Sequence, residues 1–153
     1  SQTNLYLFFA EALNEIEGDP NSVSVYGVSA KDVLGKIRGR VGFKSLLNPN
    51  DTKDHYMDEV AAQGKETFRE FIRNERRIEL CFEDSRFWDL RRWGMEVNTP
   101  VHGIRITLDE DSQNGKVYEE FEVEKRAFAA PSLPIPYSEI NLMPNLVQND
   151  GWE

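Results

Sequence analysis

The first apolar positions of the chain have the spacing of an amphipathic helix. They recur every three or four residues as Leu5, Phe8, Phe9, Ala12, Leu13 and Ile16. This spacing repeats one apolar face at each turn, so it predicts a first helix that buries that face. Gly18-Asp19-Pro20 ends the helix, because proline lacks the amide hydrogen that continues the helical ladder.

A second helix is predicted to begin where Ser29 and Asp32 have the spacing of a capping box. Gly42 is a suitable C-cap for it. Its apolar face comprises Val33, Leu34, Ile37 and Val41. Two such helices joined by a turn form a helical hairpin, the unit of stacked helical repeats. The sequence contains no second copy, so periodicity alone does not establish a repeat.

A polar segment from Leu47 to Lys53, which contains Pro49, predicts a loop before a third helical region. Good helix formers separate the apolar positions of that region. These positions are Phe68, Phe71, Ile72, Ile78 and Phe82. We expect one helical face to bury all five side chains.

Beyond Gly94 the apolar pattern changes to the period of a β-strand. Apolar residues alternate with polar ones at Ile104, Ile106 and Leu108, and again at Phe121 and Val123. This alternation predicts two strands, and Asn114-Gly115 between them favours a hairpin turn. We therefore expect a β-hairpin with one polar face.

The tail from Pro131 onward is rich in proline and asparagine, which leaves room only for a short helical turn near Ser138. Pro134 and Pro136 keep the backbone extended, while the leucine and isoleucine beside them can dock on a surface. Without regular structure, the tail must be held by side-chain contacts.

Charge and cysteine content exclude several functions. The 153 residues include 27 acidic and 18 basic side chains, a net charge of −9, which disfavours binding to nucleic acid. A single cysteine, Cys81, excludes an internal disulfide, and its neighbours Leu80 and Phe82 indicate a buried position.

No apolar run in the sequence is long enough to cross a bilayer. The chain begins at Ser1 and a helical pattern starts at once, so we expect the native protein to continue upstream.

The segment from Glu66 to Arg92 contains seven arginines and seven acidic residues. On a helix, Glu66 with Arg69, Glu70 with Arg73, and Arg76 with Glu79 lie one turn apart and are able to pair. Aromatic residues crowd the later part of the segment, and partly buried guanidinium groups need carboxylate or carbonyl partners. We therefore interpret the segment as a structural arginine–carboxylate network at a helix corner, and not as a catalytic site.

No motif in the chain predicts a catalytic residue, a cofactor or a metal site. His55 and His102 have no partners at metal-ligand spacing, and a phosphate-binding loop and a serine nucleophile motif are both missing. One loop resembles a calcium loop through Asp109, Asp111, Gln113 and Glu120. Its glycine is displaced by one place and strands flank it, so an acidic hairpin loop is the better interpretation.

Five aromatic side chains have the chemistry to stack on sugar rings. They are Tyr56, Trp88, Trp93, Tyr137 and Trp152. For Trp88 and Trp93, core packing is the favoured interpretation, because both fall within the dense charged and aromatic segment.

Two stretches carry a resemblance to a known family. Asn74 to Gly94 reads NERRIELCFEDSRFWDLRRWG, and Leu133 to Trp152 contains LPIPYSEI followed by NLVQNDGW. Both resemble the signature segments of the SusD/RagB family, and the patterns around Leu7–Ile16 and Ile37–Val41 resemble its preceding helices. One departure is Asp84, which stands where the family has glycine. Asp tolerates a left-handed backbone at modest cost.

The resemblance implies a mostly α-helical SusD-like fold, with a tetratricopeptide-like helical hairpin, a small β-hairpin and an irregular C-terminal tail. Residues 1–153 would form the C-terminal region of a longer protein, anchored to the outer membrane at the cell surface by an N-terminal lipid. Similar proteins bind oligosaccharide or polysaccharide without catalysis and cover a SusC-like TonB-dependent transporter. Their main glycan contacts lie upstream, so the glycan-binding residues of this chain are unknown. The alternative is a helical-repeat scaffold with a protein ligand.

Overall fold

A computed structural model describes residues 1–42, 48–108 and 115–152. The chain divides into two compact units, Ser1–Arg86 and Phe87–Glu153, with the boundary inside a helix. The described residues form six helices and one two-stranded sheet, so the predicted mostly α-helical fold with a small β-hairpin is confirmed. None of the helices in these ranges is both long and apolar enough to cross a membrane.

The first unit is built from four helices and the start of a fifth. They are α1 Gln2–Glu17, α2 Ala30–Arg38, α3 His55–Ala62, α4 Lys65–Glu79 and α5 Ser85–Arg92. α1 packs against α2 and α4, and α4 also packs against α3. The core of the unit combines side chains from all four complete helices, with Leu7, Leu34 and Phe68 fully buried.

The structure confirms the first helix and the glycine that ends it, but only part of the predicted face is buried, with Leu13 in the core and Phe9 packed against it. Gly18 adopts the left-handed conformation at the C-cap. Leu5 and Ile16 are 70% and 77% exposed, whereas Leu7 and Ala10 are fully buried. α1 carries apolar residues around much of its circumference, so spacing alone does not select the face that meets α2 and α4.

The second helix begins as predicted and ends earlier. Ser29 and Asp32 form the capping box, with hydrogen bonds of 2.9 and 3.1 Å. The helix ends at Arg38, and Val41 is exposed. Gly39, a weak helix former, follows the last helical residue, and turns then occupy the predicted final turn of the helix.

The third helical region consists of two helices, because Gly64 interrupts it with a φ of 95°. Phe68, Phe71 and Ile72 are buried as predicted, whereas Ile78 and Phe82 are exposed. The buried face of α4 continues through Glu75 and Arg76, which are polar. The apolar stripe of α4 therefore ends one turn before the helix does.

Cys81, in the turn beyond α4, is exposed, so its predicted burial was wrong.

In the second unit, β1 Val101–Leu108 pairs antiparallel with β2 Lys116–Glu124. The hairpin is confirmed, but the prediction of one polar face was wrong. Ile104 lies opposite Glu120, whereas Phe121 lies opposite Gly103. Directly opposed residues share a face, so the apolar residues of the two strands lie on opposite faces. The turn predicted at Asn114 lies outside the described residues.

The tail contains one short helix, α6 Tyr137–Leu142, at the position predicted near Ser138. The rest of the tail has no regular structure in the described residues up to Trp152.

Candidate functional site

An arginine in the first unit joins three helices through two carboxylates. Arg38, at the end of α2, lies 2.5 Å from Asp54, which caps α3, and 2.5 Å from Glu75 in α4. Its guanidinium also lies 4.8 Å from the centroid of the Phe71 ring. Burial raises the pKa of the Glu75 carboxyl, and Arg38 opposes that shift. The cluster links α2, α3 and α4 at the edge of the core, with Arg38 and Asp54 partly exposed.

A second ion pair joins the end of α1 to α4. Arg69 donates two parallel hydrogen bonds to Glu15, of 2.5 and 2.7 Å. The hydrogen bond from Arg69 lowers the pKa of the Glu15 carboxyl to about 2, and Lys65 adds to the effect. Glu15 and Glu75 both face an arginine, yet their pKa values move in opposite directions, because only Glu75 is deeply buried.

The predicted pairs of Glu66 with Arg69 and Glu70 with Arg73 are both present. Arg76 is 2% exposed and lies 4.1 Å from the centroid of the Phe8 ring. It donates a hydrogen bond of 3.0 Å to Asn4. Glu79, its predicted partner, binds Arg40 at 2.6 Å. Arg76 therefore ties α4 to α1 through a ring and an amide.

The predicted network of charges among aromatic rings also occurs in the second unit. Arg91 lies 3.5 Å from the Phe87 ring centroid and 4.8 Å from that of Phe128, and these three residues define the aromatic corner. Arg91 donates to the Phe87 carbonyl at 2.9 Å. Asp89, which is buried, accepts a 2.8 Å hydrogen bond from Arg92. Arg91 and Arg92 are therefore held by protein groups, which fits a structural role.

A concavity of about 310 Å³ lies beside the aromatic corner, between residues 94–98 and 128–131. Asn98 bridges its two walls, because its amide oxygen accepts from the Phe128 amide at 2.6 Å and its amide nitrogen donates to the Phe128 carbonyl at 3.2 Å. Sequence reasoning missed both residues. Phe128 lies between the hairpin and the tail, where no periodic pattern marks it.

Amide side chains hold the tail in place, which confirms the predicted dependence on side-chain contacts. Gln148 accepts from the Ile135 amide at 2.8 Å and donates to the Ile135 carbonyl at 3.0 Å. Asn149 donates to the Leu133 carbonyl at 2.7 Å, and the Trp152 indole donates to the Ser132 carbonyl at 2.7 Å. We call residues 132–135, with the three side chains that bind them, the tail clamp.

The tail clamp gives a physical reason for the closing sequence motif. Pro134 and Pro136 lack amide hydrogens, so this segment cannot take its place in a regular ladder of backbone hydrogen bonds. The side-chain amide of Gln148 binds both the N–H and the carbonyl of Ile135, as a neighbouring strand would do. The closing sequence motif therefore specifies how the tail is held in place.

The five candidate sugar-stacking rings occupy different settings. Trp88 is 56% exposed, so its predicted core packing was wrong, although its ring contacts that of Phe87 at 4.9 Å. Trp93 is half-buried, with the guanidinium of Arg92 4.6 Å from its ring centroid.

The other three rings, those of Tyr56, Tyr137 and Trp152, are exposed to solvent. Tyr56 contacts Phe71 edge-on at 5.6 Å and Tyr137 begins α6, and their exposed fractions are 62% and 76%. Trp152 is committed to the tail clamp through its indole N–H.

The two histidines are exposed and hydrogen-bonded to carboxylates. His55 lies 2.7 Å from Asp51, and His102 lies 2.5 Å from Glu120. Within residues 1–42, 48–108 and 115–152, no group of three or more metal-ligating side chains is close enough to hold an ion. The loop resembling a calcium site, with Asp109, Asp111 and Gln113, lies outside the described residues.

A family model described as the SusD family matches residues 3–152, nearly the whole chain. The protein belongs to the SusD family. Searches among curated proteins and among solved structures each find no match. SusD-family proteins bind glycans in nutrient uptake, are typically associated with the outer membrane and cell surface, and are known as non-catalytic binding proteins.

The backbone at Asp84, one of the positions where the chain departs from the family motif, is the one that glycine favours. Asp84 has a φ of 53°, the left-handed conformation that glycine adopts freely. Asp is among the few other residues that tolerate it, so the SusD fold keeps its turn between α4 and α5 despite the substitution.

Proposed function

We propose that this SusD-family protein captures glycans at the outer-membrane surface, without catalysis, and passes them to a SusC-like TonB-dependent transporter. The observation that carries the proposal is the family match over residues 3–152, which includes both the aromatic corner and the tail clamp. By the same resemblance, the chain is the C-terminal region of a longer lipid-anchored protein with tetratricopeptide-like hairpins.

Three carboxyl groups that the fold holds in ion pairs are unsuited to glycan hydrolysis. A glycosidase needs two carboxyl groups flanking a cleft, one with a raised pKa. Glu75 has a raised pKa but is 6% exposed and contacts Arg38 in the core. Glu15 and Asp89 are each held by an arginine. These acids therefore serve ion pairs within the fold.

Calorimetry of the full-length protein against a broad panel of polysaccharides tests the proposal, together with affinity purification from the outer membrane. We expect saturable binding of at least one glycan, no turnover of that glycan, and co-purification of a TonB-dependent transporter. Failure of both binding and co-purification would overturn the proposal. A protein ligand recovered in place of any glycan would favour the helical-repeat scaffold.

A further inference from the structure

A concavity of about 260 Å³ lies between the start of α1 and the end of α2, within the first unit. Its lining residues are Gln2, Thr3, Tyr6, Lys36, Ile37 and Arg40. Residues from two helices form it, so no single stretch of sequence reveals it. We call it the α1–α2 concavity.

The apolar part of the α1–α2 concavity is fixed by the core. Ile37 is 2% exposed, and Tyr6 is half-buried and packs against the core residues. An aromatic ring anchored in this way offers a flat apolar surface with a polar hydroxyl at its edge. The less polar face of a sugar ring stacks on such a surface.

The polar part of the α1–α2 concavity is cationic, in a protein whose net charge is −9. Lys36 is exposed, and its ammonium group has no hydrogen bond to the described part of the chain. Arg40 is oriented by Glu79 at 2.6 Å and by the Ile37 carbonyl at 3.2 Å. Glu79 pairs directly with Arg40, whereas Asp32, one turn before Lys36 on α2, acts on Lys36 only through its charge. The Lys36 ammonium therefore keeps its hydrogen-bonding capacity for a ligand.

We infer that the α1–α2 concavity binds a sugar ring that carries a carboxylate, such as the uronic acid residue of an acidic glycan. The ring would lie against Tyr6, with its carboxylate towards Lys36 and its hydroxyls near Gln2 and Thr3. The volume is below the roughly 300–1,000 Å³ of pockets for drug-sized ligands, so it suits a single ring. This inference rests on the proposed function and specifies a substrate class for it.

Titration of the full chain with galacturonate, followed by NMR, tests the location of this site. We expect saturable shifts of the backbone amides of residues 2, 3, 6, 36, 37 and 40. Galactose differs mainly by lacking the carboxylate, so it should bind about tenfold more weakly or worse, the cost of one charge-assisted hydrogen bond. An absence of shifts at these residues, or equal affinity for the two sugars, overturns the inference.

Two substitutions separate the charge from the ring. Lys36→Gln should weaken galacturonate binding about tenfold and leave galactose binding unchanged. Tyr6→Leu should weaken both sugars, because it removes the stacking surface. The matched control is Lys125→Gln, whose side chain is 79% exposed in the second unit and which should change neither affinity by twofold. Wild-type affinity for galacturonate in Lys36→Gln contradicts the assignment.

The outcomes for this site and for the proposed function are distinct. If the protein binds neutral glycans while galacturonate leaves the α1–α2 concavity unperturbed, only the inference fails. If no glycan of the panel binds and no transporter co-purifies, the proposed function fails. Binding of galactose 6-sulfate without binding of galacturonate would overturn the carboxylate as the recognised group.

Discussion

The two units of the chain are stabilised by different kinds of contact. In the first unit, four helices bury a continuous apolar core, with ion pairs at its edges. In the second unit, the cation–ring contacts of the aromatic corner and the amide hydrogen bonds of the tail clamp replace most of that core. Among the described residues of that unit, the buried apolar ones are Leu90, Val97 and Ala130. Apolar burial tolerates exchange among similar residues, whereas directional polar contacts demand specific side chains.

Directional contacts account for the residues of the family signature in both units. The aromatic corner and the tail clamp need arginine, glutamine, asparagine and tryptophan at fixed places, so they leave a readable motif. In the first unit the signature begins with Glu75 and Arg76, which bind Arg38 and Asn4. Four substitutions test the difference between apolar burial and directional contacts.

Phe68→Ala removes a fully buried ring from the apolar core. We expect a loss of about 3–5 kcal/mol in the free energy of unfolding, the usual range for such truncations. Urea denaturation of the full chain measures it. The control Ile106→Ala, at a position 57% exposed on β1, should cost about 0.5 kcal/mol or less. Equal losses would mean that the second unit also depends on apolar burial.

Arg38→Met leaves Asp54 and Glu75 buried without their shared cation. We expect a loss of about 2–3 kcal/mol, below the roughly 3–5 kcal/mol of a fully buried pair, because Arg38 is 16% exposed. The same denaturation assay applies. Arg105→Met breaks an exposed pair with Glu119 and should leave stability unchanged within error. A marked loss in that control would contradict the assigned difference between buried and exposed pairs.

Gln148→Ala removes both hydrogen bonds to Ile135 in the tail clamp. We expect a local loss of about 1–2 kcal/mol, so the Ile135 amide should exchange with solvent about 5- to 30-fold faster. Hydrogen exchange followed by NMR measures this rate. Val147→Ala, at the neighbouring position that is 81% exposed, should leave it unchanged. Unchanged exchange in Gln148→Ala would show that the clamp does not hold the segment.

Asp84→Gly relieves the left-handed backbone at the turn before α5. We expect a gain of at most about 1 kcal/mol, since the relief of strain is partly offset by the greater freedom of glycine in the unfolded chain. Thermal unfolding should show a small rise in Tm. Ser85→Gly, one residue later and within α5, should lower Tm instead. A lower Tm for Asp84→Gly would exclude strain at this position.

Local patterns in the sequence predicted much of the fold. Ser29 and Asp32 specify a helix start through their own hydrogen bonds, and Gly18 and Asp84 mark left-handed positions through their residue types. The alternation around Ile104 was enough to predict a strand. Each of these features depends on residues within a few positions of one another, so a single sequence contains the necessary information.

The candidate site was far less predictable. The aromatics with sugar-stacking chemistry were identified by type, but the exposure of Trp88 was not. The α1–α2 concavity brings Tyr6 beside Lys36, which lies 30 positions later, and neither residue is distinctive in its own helix. The local signal was limited to two cations four positions apart, Lys36 in the last turn of α2 and Arg40 just beyond its end.

Local sequence patterns specify the end of α1, the start of α2 and the two hairpin strands, and the signature segments specify membership of the SusD family. The packed fold sets which face of α1 is buried, how β1 and β2 are registered, and that Arg38 binds two carboxylates from different segments. The two groups of features differ in the range of the interactions behind them. Capping and strand alternation act between near neighbours, whereas burial and ion pairing depend on which distant segments meet.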